Sequence, residues 1–134
     1  MTVDGIMTRE VVTVAPDTAL SEVRAHLHEG GFRHLLVVEE GALIGVISDR
    51  DVLRALSPFL DTYSEEHRDV RTLARPAREI MRAEPVTVAP GTDVEEAASL
   101  VLDHKISSLP VVEGNEIVGI VTTKDLLRHY TKEG

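Results

Sequence analysis

The sequence predicts an α/β (α+β) protein built from two copies of one β-α-β-β-α unit. Sliding the chain of 134 residues by 74 positions aligns residues 6–54 with 80–128 without a gap, and 18 of the 49 aligned residues are identical. Hydrophobic residues make up 43% of the chain and charged residues 28%, which indicates a soluble globular protein rather than a disordered one. A unit of about 50 residues buries too little surface to be comfortably stable alone. We therefore expect the two copies to pack face to face about a pseudo-two-fold axis.

Each copy begins with a short strand and a helix. The strand, Val12 to Val14 in the first copy, stops at Pro16, and Asp17 or Thr18 is the predicted N-cap of the helix that follows. The apolar residues of this helix recur at i, i+3 and i+7, which places them on one face. They are Leu20, Val23 and Leu27 in the first copy and Val94, Ala97 and Val101 in the second.

A hairpin and a second helix complete each copy. The runs LLVV and LIGVI, and their counterparts LPVV and IVGIV, are almost continuously apolar, as in strands covered on both faces. Gly114-Asn115 predicts a two-residue turn between the second pair. The last helix is expected to begin at Asp49 or Arg50, with Val52, Leu53 and Leu56 facing inward. The predicted boundaries are 1–57 for the first repeat, 58–78 for a connector with a short helical segment, and 79–134 for the second repeat.

Composition excludes several classes of function. A net charge of −9 argues against non-specific binding to nucleic acid and against docking on an anionic membrane. The chain has no cysteine, so it forms no disulfide and has no thiolate metal site or cysteine nucleophile. It has neither a run of 18 apolar residues nor the apolar core of a signal peptide, which predicts a cytoplasmic protein with no membrane contact.

The histidines and serines do not predict an enzyme. His26 and His28 are two positions apart on a helix and do not face each other. The other four histidines lack the spacing of a recognisable metal motif, and no serine stands in a G-x-S-x-G sequence. We therefore predict no catalytic residues, no metal site and no required cofactor.

The stretch GVISDRD, Gly45 to Asp51, has the same layout as GIVTTKD, Gly119 to Asp125. One interpretation is structural, because a hydroxyl followed three residues later by a carboxylate matches a capping box at a helix start. The other interpretation is a binding site. A helix N-terminus favours phosphate, the carboxylate can accept both hydroxyls of a ribose, and the two glycines leave room for a flat base. Both interpretations remain open from the residues alone.

This order of elements resembles the cystathionine-β-synthase (CBS) domain. The resemblance also rests on IM, VTVAP, SSLPVV and the glycine-to-aspartate motif, and it extends from Ile6 to about Tyr130. Two such domains in tandem, without an attached catalytic domain, resemble a stand-alone Bateman module. The resemblance implies a regulatory module that binds an adenosyl compound (AMP, ADP, ATP, NAD or S-adenosylmethionine) in clefts between the repeats. It also implies a homodimer and a regulated partner protein.

The resemblance assigns roles to individual residues. In the family, the serine or threonine and the aspartate of the motif hold the ribose, and basic residues before the preceding strand contact phosphate. Leu36 stands in the first repeat where the second has Pro110, a position that shapes the pocket for the base. The alternative is a structural or interaction protein that binds no nucleotide and uses these motifs only as helix caps. The predicted nucleotide-binding residues are Arg33, His34, Gly45, Ser48, Arg50, Asp51, Pro110, Gly119, Thr122, Lys124 and Asp125.

Overall fold

The chain forms two compact units whose limits differ from those of the sequence repeats. The computed structural model describes residues 1–30, 32–56, 66 and 70–133. The first-repeat unit comprises Val12–Glu84, and the second-repeat unit comprises Met1–Val11 together with Pro85–Gly134. The predicted boundaries follow the order of the chain, whereas in space Met1–Val11 groups with the second repeat and the residues that lead up to Glu84 group with the first.

The first-repeat unit is a four-stranded sheet with helices. The strands lie in the order β1-β2-β3-β4, with β1 parallel to β2 and the other two pairs antiparallel. The predicted β-α-β-β-α order is confirmed, and β4 comes from the first residues of the predicted second repeat. The elements are β1 (Thr13–Val14), α1 (Leu20–Gly30), β2 (His34–Glu39), β3 (Ala42–Ser48), α2 (Asp49–Ala55), a 3₁₀ helix (Thr72–Ala74), α3 (Ala77–Ile80) and β4 (Arg82–Ala83).

The second-repeat unit repeats this plan with a smaller sheet. Its named strands form one antiparallel hairpin, and single bridges, Val88 to Val111 and Thr8 to Ile120, replace β1 and β4. The elements are a 3₁₀ helix (Val3–Gly5), α4 (Val94–His104), β5 (Ser108–Glu113), β6 (Glu116–Thr122) and α5 (Thr123–Glu133).

Pro110 explains why the first strand of the second repeat is reduced to one bridge. In the first repeat, the Leu36 amide donates to the Val12 carbonyl at 3.0 Å. Pro110 occupies the equivalent position and has no N–H to donate. Its carbonyl still accepts from the Val88 amide at 3.0 Å, and the Val112 amide donates to the Val88 carbonyl at 2.9 Å, so two hydrogen bonds hold Val88 against β5.

Both hairpins close through two-residue turns, as predicted for the second one. Glu39 pairs with Ala42, and Glu113 pairs with Glu116. Gly114 has a φ of +61°, a conformation that glycine adopts without steric cost. In the first turn Gly41 has a φ of +80°, so both hairpins place a glycine where the backbone turns left-handed.

Residues at equivalent positions of the two repeats form the two hydrophobic cores. Each core also includes one residue from a segment that leads into the other repeat in the order of the chain. Ala77 joins the core of the first-repeat unit, and Val3, which lies 74 positions before it, joins the core of the second. The other equivalent members of the two cores are Val14 and Val88, Leu20 and Val94, Val23 and Ala97, Leu35 and Leu109, Val37 and Val111, Ile47 and Val121, and Val52 and Leu126.

Two local predictions are wrong. Neither Asp17 nor Thr18 is the N-cap of α1, since the helix begins at Leu20 and the Thr18 hydroxyl instead accepts from the Ala15 amide at 3.0 Å. Leu53 does not face inward, because it is 72% exposed while its neighbour Val52 is buried. Consecutive helical residues point about 100° apart, and here Val52 faces the core while Leu53 points to solvent.

Residues 58–65 and 67–69 of the predicted connector lie outside the described residues. Over the described ranges, no helix combines the length and the apolar character needed to cross a membrane.

Candidate functional site

Ser48 and Asp51 form a complete capping box where β3 passes into α2. The Asp51 amide donates to the Ser48 hydroxyl at 3.2 Å, and the Ser48 amide donates to Oδ2 of Asp51 at 2.8 Å. Asp51 is only 9% exposed. The structural interpretation of the motif is therefore confirmed for the first repeat, and the cap fixes the position of a nearly buried carboxylate.

Thr122 and Asp125 form the same arrangement where β6 passes into α5. The Asp125 amide donates to the Thr122 hydroxyl at 3.2 Å, and the Thr122 amide donates to Oδ2 of Asp125 at 3.0 Å. Asp125 is 8% exposed. In both copies one carboxylate oxygen accepts from the backbone, and the capping role leaves Oδ1 for another partner.

The structure brings the predicted basic residues of the first repeat to the same end of β3. The Cα atoms of His34 and Ser48 pair across β2 and β3, and the Arg33 carbonyl accepts from the Asp49 amide at 3.0 Å. Nη1 of Arg33 lies 3.8 Å from Oδ2 of Asp49. Together with Asp51 and Arg82, these residues are called the Asp51 cluster below.

The second repeat assembles hydroxyl groups at the equivalent positions. The Cα atoms of Ser108 and Thr122 pair, and the Thr123 hydroxyl donates to the Ser107 carbonyl at 3.2 Å. Ser107, Ser108, Thr122, Thr123 and Asp125, together with Thr8, are called the Asp125 cluster below.

Three further predicted residues, Arg50, Lys124 and Pro110, are not members of these clusters. Arg50 and Lys124 are exposed on the first turns of α2 and α5. Pro110 is fully buried within β5. In this structure Pro110 shapes the sheet and offers no surface to a ligand, so its role at a base stays a prediction.

The sequence reasoning missed two residues that reach the aspartates. Nε of Arg82 lies 3.8 Å from Oδ1 of Asp51. The Thr8 hydroxyl lies 3.2 Å from both carboxylate oxygens of Asp125. Thr8 and Arg82 are 74 positions apart and both follow an IM pair. The alignment of the two repeats shows that Thr8 and Arg82 are equivalent. It does not show that Thr8 contacts Asp125 and Arg82 contacts Asp51, each in the other repeat.

Methionine side chains occupy the space beside both motif glycines. A Cβ added at Gly45 would collide with Sδ of Met81. At Gly119 an added Cβ would lie 2.8 Å from Sδ of Met7 and 2.8 Å from the backbone oxygen of Thr8. The absence of a side chain at the two glycines leaves room for Met7 and Met81. A base could approach Gly45 or Gly119, as predicted, only if the adjacent methionine moved.

Replacing Gly119 with alanine should destabilise the protein more than replacing Gly45. The methyl group at 119 meets a backbone oxygen, whereas at 45 it meets only a flexible side chain. Overpacking of this kind costs about 1–3 kcal/mol, and we expect Gly119→Ala to fall in that range. Urea denaturation measures the difference. Gly91→Ala is the matched control, since an added Cβ there meets nothing within 4 Å. Equal stability of Gly119→Ala and Gly91→Ala would contradict the expectation.

The described residues contain no group of three or more histidine, aspartate or glutamate side chains placed to hold a metal ion. The Asp51 cluster combines the carboxylates of Asp49 and Asp51 with the Ser48 hydroxyl, the His34 imidazole and two guanidinium groups, whereas the Asp125 cluster combines one carboxylate with five hydroxyls. Such groups suit a polyhydroxylated ligand, and the cations of the Asp51 cluster suit a phosphate.

The fold and the repeated carboxylate motif define a tandem CBS pair, and comparison with known proteins agrees. The family model of the CBS domain matches residues 3–58 and 77–132. The chain belongs to the CBS domain family, which confirms the resemblance derived from the sequence.

Two curated relatives cover nearly all of the chain. It is 34% identical over 125 residues to the CBS domain-containing protein YhcV of Bacillus subtilis, covering 92% of this chain and 81% of that protein. It is 32% identical over 130 residues to the uncharacterized protein MJ1225 of Methanocaldococcus jannaschii, covering 96% of this chain. The chain spans 46% of the length of MJ1225.

Solved structures share the fold over the whole chain. CBSX2 from Arabidopsis thaliana, solved in complex with AMP, is 26% identical with a TM-score of 0.77, covering 98% of this chain and 97% of the other. The CBS domain pair of protein MJ0100, solved with 5-methylthioadenosine and S-adenosyl-L-methionine, is 25% identical with a TM-score of 0.79, covering 97% and 99%.

Proposed function

We propose that this chain is a regulatory module that binds an adenosyl compound at the Asp51 and Asp125 clusters and signals to a partner protein. The observation that carries the proposal is the pair of nearly buried carboxylates, each fixed by a capping box at an equivalent position. CBS pairs of the same fold bind AMP in one case and 5-methylthioadenosine with S-adenosyl-L-methionine in the other. The ligand class shared by these proteins is an adenosine group.

The clusters have the groups that an adenosyl ligand requires. A ribose presents two neighbouring hydroxyls as donors, and an ionised carboxylate accepts hydrogen bonds at either oxygen. Because the capping bond uses Oδ2, the ribose in our proposal approaches Oδ1. In the first repeat, Arg33 and His34 supply groups for a phosphate, with Arg50 at the same helix start. In the second repeat Thr122 supplies a hydroxyl, and Lys124 is the nearby cation.

The capping boxes also favour a second candidate function. Both aspartates make hydrogen bonds that stabilise a helix start without any ligand. A structural or interaction protein would need no more than this. The two candidates differ in whether adenosyl compounds change the stability of the folded state.

A thermal-shift panel of adenosyl compounds tests the proposal. A ligand at 100 times its Kd should raise the free energy of unfolding by about 2.7 kcal/mol, which corresponds to a rise in Tm of roughly 10 °C. GMP and guanosine serve as matched ligands that change only the base. The variant Asp51→Asn/Asp125→Asn should lose the shift. If no adenosyl compound raises Tm at millimolar concentration, the structural candidate is correct.

We propose further that binding occurs without turnover and that the module acts as a homodimer. The chain has no cysteine and no serine in a G-x-S-x-G sequence, so we expect bound nucleotide to be recovered unchanged by chromatography after incubation. Hydrolysis that scales with protein concentration, and is lost in Asp51→Asn, would contradict binding without turnover.

A further inference from the structure

The two aspartates face chemically different partners. Oδ1 of Asp51 lies 3.8 Å from the guanidinium of Arg82, whose side chain is 54% exposed. The carboxylate of Asp125 instead lies 3.2 Å from the neutral hydroxyl of Thr8. Since Thr8 and Arg82 occupy equivalent positions, the chain places a cation at one site and a hydroxyl at the other.

Two more pairs of equivalent positions have charged side chains beside Asp51 and hydroxyl side chains beside Asp125. Arg33 and Asp49 form an ion pair beside Asp51. At the equivalent positions the second repeat has Ser107 and Thr123, joined by a hydrogen bond from the Thr123 hydroxyl to the Ser107 carbonyl. Three pairs of equivalent positions therefore differ in the same direction, which makes the Asp51 cluster ionic and the Asp125 cluster neutral apart from its carboxylate and the exposed Lys124.

This difference has a consequence for an uncharged nucleoside. A ribose that approaches Oδ1 of Asp51 must compete with the Arg82 guanidinium for the same oxygen. At Asp125 it meets a hydroxyl that can rotate and form a new hydrogen bond. A nucleoside should therefore bind less tightly at Asp51 than at Asp125.

A nucleotide relieves the competition between Arg82 and the ribose at Asp51, whereas no such competition exists at Asp125. Its phosphate is joined to the ribose and offers Arg82 an anion, and the planar guanidinium matches phosphate geometry. The half-exposed side chain of Arg82 can then leave Asp51 and contact the phosphate while the ribose takes its place. The phosphate therefore frees the Asp51 carboxylate from Arg82 and also accepts a charge-assisted hydrogen bond from that arginine.

We propose that Arg82 determines the ligand preference of the Asp51 cluster, making it select adenosyl ligands that have a phosphate over those that lack one. The Asp125 cluster, with Thr8 in that place, discriminates less between them. This inference rests on the proposed function and adds to it a difference between the two sites. An adenosyl compound without a phosphate then binds mainly at the Asp125 cluster, whereas one with a phosphate binds at both clusters.

Calorimetric titration of single-site variants with adenosine and AMP tests the inference. In the Asp125→Asn variant only the Asp51 cluster is expected to bind ligand. In the Asp51→Asn variant only the Asp125 cluster is expected to do so. In the Asp125→Asn background, Arg82→Thr should raise adenosine affinity by up to about fivefold, as expected from removing a half-exposed ion pair. The ratio of AMP affinity to adenosine affinity should fall at least about tenfold. In the Asp51→Asn background, Thr8→Arg should raise that ratio.

Matched controls separate this effect from a change in net charge. Arg54 is an exposed arginine of α2, and Arg54→Thr removes the same charge without altering the contact with Asp51. Arg82→Gln provides a second test should Arg82→Thr lower stability. If the Asp125→Asn protein binds AMP and adenosine with a ratio that neither Arg82 variant changes, this inference is wrong while the proposed function stands. If the parent protein binds neither adenosine nor AMP, this inference is wrong, and the thermal-shift panel of the other adenosyl compounds decides the proposed function separately.

Discussion

Replacing Asp51 or Asp125 with alanine is expected to lower adenosine and AMP affinity at the altered site at least tenfold. Hydrogen bonds to a charged acceptor are worth about 1.5–3 kcal/mol each, and a tenfold change in affinity corresponds to about 1.4 kcal/mol. Adenosine and AMP should lose affinity alike, because both contain the ribose. Calorimetric titration of each variant with both ligands measures the effect.

The alanine variants should also lose stability, because the carboxylate serves the helix start. In Asp51→Ala the Ser48 amide loses its acceptor, which costs about 1–3 kcal/mol for a group shielded from water. Asp51→Asn is the matched control, since its amide oxygen can still accept from that amide. We expect the asparagine variant to retain most of the stability and still to lose ribose affinity. If Asp51→Asn and Asp125→Asn both bind adenosine as the parent does, the ribose assignment is wrong.

Arg33→Ala should give a different pattern. Its guanidinium lies 3.8 Å from Asp49 and its side chain is 75% exposed, so the protein should keep its stability. If Arg33 contacts phosphate, its loss weakens AMP binding and leaves adenosine binding nearly unchanged. An equal loss for both ligands would contradict a phosphate contact.

The largest expected effect on stability is in the core. Leu109→Ala and Leu35→Ala each remove a fully buried side chain at equivalent positions of the two cores. Large-to-small substitutions of this kind lower the free energy of unfolding by about 2–5 kcal/mol, because the lost burial and the resulting cavity add together. Denaturation in urea, monitored by circular dichroism, measures the loss.

An exposed leucine provides the control for these core variants. Leu102 is 76% exposed on α4, and substitutions at such surfaces usually change stability by no more than about 0.5 kcal/mol. Leu102→Ala should therefore unfold like the parent. A loss below 1 kcal/mol in Leu109→Ala would contradict the core assignment, since about 2 kcal/mol is the lower limit expected for a fully buried leucine.

The fold could be predicted from the sequence because the hydrophobic pattern of each repeat supports the interpretation of the other. The spacing of Leu20 and Val23, and of Val94 and Ala97, identified helix faces that are buried in the structure. Gly114-Asn115 identified a hairpin turn because few residues adopt a positive φ without cost. The hydroxyl-to-aspartate spacing identified both capping boxes, since a capping box is a local interaction within four residues.

Interactions between distant parts of the chain could not be derived in this way. The motif showed Asp51 and Asp125 but gave no sign that Arg82 and Thr8 reach them, because those contacts depend on where the backbone crosses. Thr8 lies 117 positions from Asp125 in the chain. The motif glycines suggested an open surface, whereas Met7 and Met81 lie against them. The role of Pro110 at a base stays a prediction, and only the structure shows that its missing N–H shortens a strand.

The amino-acid sequence by itself determined the two repeats, their element order, the apolar faces and the capped aspartates, because each depends on neighbouring residues or on a fixed period. Only the tertiary structure decided which side chains surround those aspartates. Met1–Val11 groups with the second repeat and the residues that lead up to Glu84 group with the first, so that Val3 and Ala77 enter the two cores as equivalent members. The physical reason is that burying these apolar residues fixes the path of the backbone. That path then places a hydroxyl beside Asp125 and a guanidinium beside Asp51.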